Sequence, residues 1–250
     1  MTLAPAVKPV ICAFSAPHAA ACRRSRLMHW LSQRASHFDA RLLLLCVLID
    51  LVFIAAHIVH NHTPWLPSPH LSIEHDRGYA EIFQYFKEIW ILLLLGSVGF
   101  RRRSPLLTAW SLLFVYVLVD DAFSLHEIWG LAAAHYFGLD PLFGLRGEDF
   151  GELVVSALAA SILLILIGMT HGRASASLRA VSVDLVGLLA ALACCGIVFD
   201  MLHIAAPFGV PRAVYALFED GGEMLVMSLI LARVFCAMFI SGQAPWRSSS

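Results

Sequence analysis

Six stretches of this chain are apolar enough and long enough to cross a bilayer: roughly 41–60, 80–100, 105–127, 151–170, 181–204 and 222–241. A helix needs about 20 mostly apolar residues to span the hydrocarbon core, where no water is present to satisfy a free peptide group. The composition agrees: 59% of the residues are hydrophobic and 14% are charged, far more apolar than a water-soluble domain of this size. The expected fold is therefore all-α, a polytopic membrane protein of six transmembrane helices over 41–241. Residues 1–40 are expected to form a cytoplasmic tail, with 27–40 able to lie on the membrane as a short amphipathic helix through Leu27, Trp30, Leu31 and Phe38. Residues 242–250 read as a second cytoplasmic tail.

Arginine sets the orientation. Arg23, Arg24, Arg26, Arg34 and Arg41 precede or begin the first span; Arg101, Arg102 and Arg103 separate spans two and three; Arg173 and Arg179 separate four and five; Arg247 follows the sixth. These regions share one side if all six spans are real, and the positive-inside rule makes that side cytoplasmic. The expected location is a bacterial-type inner or plasma membrane, with both termini in the cytoplasm and the lipid bilayer as first partner. A net charge of −1 argues neither way about nucleic acid, and the lack of a sustained basic face speaks against it. The six cysteines have no C-x-x-C spacing and read as small apolar fillers. Trp65, Trp90, Trp110, Trp129 and Trp246 are expected as interface anchors.

The acids and imidazoles fall on the other side. His57 and His60 close span one; Glu81 and Glu88 lie in span two; Asp120, Asp121, His126 and Glu127 close span three. A phrase then recurs: Glu148-Asp149-Phe150-Gly151-Glu152 opens span four and Glu219-Asp220-Gly221-Gly222-Glu223 opens span six, with Asp200 and His203 closing span five. The pattern suggests helical hairpins, 105–170 and 181–241, made from a repeated unit. Asp149 with Glu152, and Asp220 with Glu223, have the offset of a capping box, which would explain those acids structurally. The box leaves Glu148 and Glu219 unexplained. Each lies four residues before another Glu, on the same helical face, where the two repel unless a cation, an arginine or a retained proton intervenes. Gly151 and Gly222 would let a neighbouring backbone or ligand come close. Acids as deep as Asp50, Glu88, Asp120 and Asp121 are functional hypotheses by default. Arg233 is read as snorkelling and Asp184 as lying close to the interface.

Mixed carboxylate and imidazole donors suit a divalent metal of the zinc, iron or manganese type. The candidate ligands are Asp121, His126, Glu152, Asp200, His203, Glu219 and Glu223, with Glu127 or Glu148 available for proton transfer. The broad plan, a membrane helix bundle with Asp and His near one leaflet, resembles that of the membrane hydrolases related to alkaline ceramidases. Spans five and six lack the His-x-x-x-His pair of those enzymes, so no residue role is carried over. The expectation is a metal-dependent membrane hydrolase acting on a lipid-like substrate. The alternatives are a cation or proton transporter or channel, and a metal-sensing membrane subunit.

Overall fold

The computed structural model describes residues 40–206 and 210–240. The expected surface helix and both tails lie outside these residues, apart from Ala40. Every named element among the described residues is helical. In chain order the helices are α1 (Ala40–His62), α2 (Tyr79–Arg102), α3 (Pro105–Phe123), α4 (Leu125–Phe137), α5 (Gly147–His171), α6 (Ala176–Ala205) and α7 (Arg212–Phe239). All but α4 are long and apolar enough to span a membrane, so the protein is a six-span helical membrane protein.

The centre of the bundle is α7. Its span is 61% buried, against 6% for α5. It packs on α1, α2 and α6, and the core around it contains Ile91, Leu95, Trp110, Phe114, Met227 and Ile230. Leucine, isoleucine and phenylalanine side chains on the outer faces of α1, α2 and α5 stay exposed, as lipid contact requires.

Polar contacts fix the helices where apolar packing has no preferred register. Lys87 on α2 bonds Asp50 on α1 at 3.0 Å, the Met224 carbonyl at 2.8 Å and Ser228 at 3.3 Å on α7; Ser228 in turn donates to Asp50 at 2.5 Å. Toward the opposite end from the acids, Arg233 donates to Asp184 at 3.0 Å. Both side chains are enclosed, at 4% and 10% exposure, so Arg233 does not snorkel but turns to Asp184. A paired guanidinium and carboxylate escape the cost of burying either alone, which is why the pair turns inward. Trp110 also departs from its expected interface position: it is 1% exposed and donates to Ser182 at 2.9 Å.

Two span boundaries differ from expectation. The third span ends at Phe123, because Ser124 adopts a left-handed conformation (φ 48°) that stops α3. His126 and Glu127 therefore begin the separate helix α4 instead of closing the span. The last span begins near Arg212, not at 222, so Glu219, Asp220 and Glu223 lie inside a continuous helix. The helical stretch that leads into it starts at Val210, with Pro211 in its first turn, where the missing N–H has no intrahelical partner to lose.

Candidate functional site

The acids meet. A cavity of ≈ 620 Å³ lies between α3, α4, α5, α6 and α7 and is lined by eight carboxylates: Asp121, Glu127, Glu148, Glu152, Asp200, Glu219, Asp220 and Glu223. Arg146 and His126 are the basic groups in its wall, and Ile128, Leu131 and Ile204 supply apolar surface. A smaller lobe of ≈ 170 Å³ shares Asp121, His126, Glu127, Asp220 and Glu223 with it. That lobe is covered by the 61–79 connection, which brings Ile73, Glu74, His75 and Asp76 to it. His57 helps to hold this cover: its Nδ1 lies 3.1 Å from Ser72 Oγ and accepts from the Ile73 N–H at 3.3 Å.

Local backbone irregularity aims the key side chains. A π-helical turn over Cys194–Phe199 precedes Asp200 and His203, and a second over Leu217–Gly221 carries Glu219 and Asp220. Each such turn inserts a residue into the helix and shifts the faces that follow, and such turns often occur at functional sites. The two turns face one another across α6 and α7. Gly196, within the first, lies against Glu223; a Cβ there would collide with Glu223 Oε1. No motif or spacing in the chain announces this contact.

Around Glu219 the polar groups form a chain. Arg212 donates to His203 Nε2 at 3.2 Å, so His203 Nδ1 carries the proton and donates to Glu219 at 2.7 Å. The Glu219 carboxyl in turn lies within hydrogen-bond reach of Asp200. His203 is the one predicted site residue that does not line the cavity, and its position is behind Glu219. Among the described residues Asp220 and Glu223 take no hydrogen bond or ion-pair partner, although both face the cavity.

The first copy of the phrase is wired differently. Arg146 is the N-cap of α5; its N–H donates to Asp149 at 2.6 Å and its guanidinium to the same carboxylate at 2.7 and 3.1 Å. Asp149 is thus the third residue of the helix, not its cap, and the box is offset by three from the expected one. Glu148 lies 3.6 Å from the Arg146 guanidinium, so the cation beside the Glu148–Glu152 pair is an arginine. Hydrogen bonding to Asp149 pushes the Arg146 guanidinium further up from its already high range.

His126 is held by Asp120, which accepts from its backbone N–H at 2.8 Å and sits 3.2 Å from its Nδ1. That hydrogen bond pushes the imidazole up to about 9 against the opposing effect of burial. At neutral pH His126 therefore faces the cavity as a cation, and it would have to lose its proton to ligate a metal.

Eight of the nine predicted site residues thus line one cavity and the ninth backs it. Their side chains do not stand at ligation distances: among the described residues, no three of His, Cys, Asp and Glu form a metal-holding group. Asp220 and Gln84, which the sequence reading left out, also line the cleft. Asp220 was hidden by its capping-box spacing; Gln84 could have been found from its place four residues before Glu88 on α2.

The fold and the cleft together define a polytopic helical membrane protein with a carboxylate-rich cavity at one end of the bundle. By sequence the chain belongs to the family described as Domain of unknown function (DUF8692), which matches residues 45–237. No curated protein and no solved structure matches the chain.

Proposed function

We propose that the chain is a metal-dependent membrane hydrolase whose large lobe binds a divalent ion of the zinc, iron or manganese type. The observation that carries this reading is the gathering of eight carboxylates from four spans and α4 around one cavity, against two basic groups in its wall. So many acids in a partly desolvated space call for a cation. A bound metal of this type activates water and polarises a substrate oxygen. Asp200, Glu219 and Glu223, with Glu152 and Asp121 from the other lining helices, are the residues that would hold the ion. His203 orients Glu219 through its Nδ1–H. Glu127 and Glu148 are the proton acceptors, and the His126 imidazolium stabilises anionic charge on the reacting group.

A lipid-like substrate fits the apolar wall of Ile128, Leu131 and Ile204 and the depth of the cavity within the spans. The arginines at the other end, where Arg102, Arg103 and Arg173 share a cavity, support a cytoplasmic assignment for that end and an extracytoplasmic cleft. A bacterial-type inner or plasma membrane is the setting that this reading takes.

One observation favours a second reading, cation or proton transport: polar groups continue inward from the cleft through Glu88 to the Asp50–Lys87–Ser228 network. The full chain in nanodiscs, assayed on lipid esters, amides and phosphodiesters, separates the two. The hydrolase reading expects turnover that a chelator abolishes and that zinc, iron or manganese restores. It also expects Glu219→Gln to lower turnover by on the order of 100-fold or more. No chelator-sensitive turnover, together with cation flux into liposomes that Glu219→Gln abolishes, would replace it with transport.

A further inference from the structure

Three buried acceptor oxygens beneath the small lobe lack a donor. Gln84 is 6% exposed and lines the lobe, and its Oε1 has no hydrogen-bond partner. Glu88 lies one turn further along the same face of α2, is fully enclosed, and has no donor on either carboxylate oxygen. Its neighbour is another acceptor: the Asp121 carboxyl of α3 lies within hydrogen-bond reach. An unpaired carboxylate so deep in a membrane bundle costs several kcal/mol, and here two face each other.

Among the described residues no nearby group donates a hydrogen bond to Glu88. Lys87 is next in sequence, but its three protons go to Asp50, the Met224 carbonyl and Ser228. His126 is engaged by Asp120. Tyr85 sends its hydroxyl to the Glu81 side chain and to the Asp121 backbone carbonyl, not to either carboxylate of the pair. Glu81 itself already receives the Arg77 N–H and the Tyr85 hydroxyl, so its oxygens are occupied. Gln84, Glu88 and Asp121 are what remains: the atoms they can offer a cation are oxygens, with two carboxyl groups among them.

We infer that these three residues hold a hard divalent cation, of the magnesium or calcium class, at the floor of the small lobe. Such ions take carboxylate and amide oxygens and complete their shells with water, for which the lobe has room. The site shares only Asp121 with the residues proposed for the large-lobe ion, and it does not depend on the hydrolase reading.

The test titrates the full chain in nanodiscs with Mg²⁺ alone and with Ca²⁺ alone, at neutral pH and after chelation. The wild-type chain should bind one ion. Glu88→Gln and Gln84→Leu should each weaken binding by about tenfold or more. Gln84→Glu should tighten it, which guards against loss by misfolding, and Glu219→Gln in the large lobe should leave it unchanged. The inference is overturned if neither ion binds, if Gln84→Leu binds as tightly as wild type, or if Gln84→Glu weakens binding. It is also overturned if the ion-saturated protein keeps an infrared band of a protonated carboxyl that Glu88→Gln removes, since a proton then occupies the place of the metal.

Discussion

The two copies of Glu-Asp-x-Gly-Glu share a sequence and almost nothing else. The copy at 148–152 starts a peripheral helix and is neutralised by its own cap, Arg146, through Asp149 and Glu148. The copy at 219–223 lies inside the central helix, in and beside a π-helical turn, with Asp220 and Glu223 unpartnered among the described residues and Glu219 tied to His203. One copy uses its acids mainly to build a helix end; the other holds them ready in a cavity. Spacing alone does not separate these roles, because a capping box and a ligand pair have the same offset on a helix.

Substitution at the matching glycines gives the largest contrast. A Cβ on Gly151 would collide with the Gly130 carbonyl oxygen, a backbone atom that cannot turn aside. Gly151→Ala should cost about 3 kcal/mol by separating α4 from α5, read as a drop in the unfolding midpoint in detergent. In the second copy a Cβ on Gly222 would meet the Cys195 sulfur at 2.7 Å, a side-chain atom. Gly222→Ala should cost about 1 kcal/mol, and Cys195→Ala should relieve it. Equal costs at the two glycines would erase the distinction.

The acids come next. Asp149→Ala removes the partner of the Arg146 cap and should destabilise by about 2 kcal/mol. Asp220→Asn removes a charge with no partner and should change stability by less than about 0.5 kcal/mol. The same thermal unfolding series reads both, and an Asp220→Asn loss as large as that of Asp149→Ala would place Asp220 in a structural role.

The smallest effect concerns pH. Asp120 raises the His126 imidazole from 6.5 in the unfolded chain to about 9. The pair therefore contributes fully below about pH 6.5, and its contribution fades as the pH rises through about 9. His126 is a third exposed, so solvent screening holds the effect to about 1 kcal/mol or less. Asp120→Asn should flatten the stability profile across that window; an unchanged slope would mean that the pair does not titrate there.

The six spans were legible because each is a long, mostly apolar run, and the one-sided placement of the acids was read from the span end at which each group falls. What escaped the sequence reading was backbone behaviour inside those runs. Ser124 stops α3 with a left-handed turn that no proline or glycine announces. The sixth span was expected to start at 222, so half-buried positions of Glu219 and Asp220 within α7 read as a helix entrance. Arg233 and Asp184 come from different spans, and only the packing of α6 on α7 reveals them as partners. Gln84 was overlooked because an uncharged amide draws no attention until its oxygen is found without a donor.

The central claim is that Glu219 and Glu223 of the second copy are the main ligands to a divalent metal in the large lobe, whereas Glu148 of the first copy is not a ligand. Elemental analysis of the full chain, loaded with zinc, iron or manganese and then freed of loosely held ions, tests it directly. The account predicts about one tightly held ion per chain for one of these metals, retained in Glu148→Gln and lost in Glu219→Gln and Glu223→Gln. An unchanged metal content in both second-copy variants, or no retained ion in the wild-type chain, would contradict it.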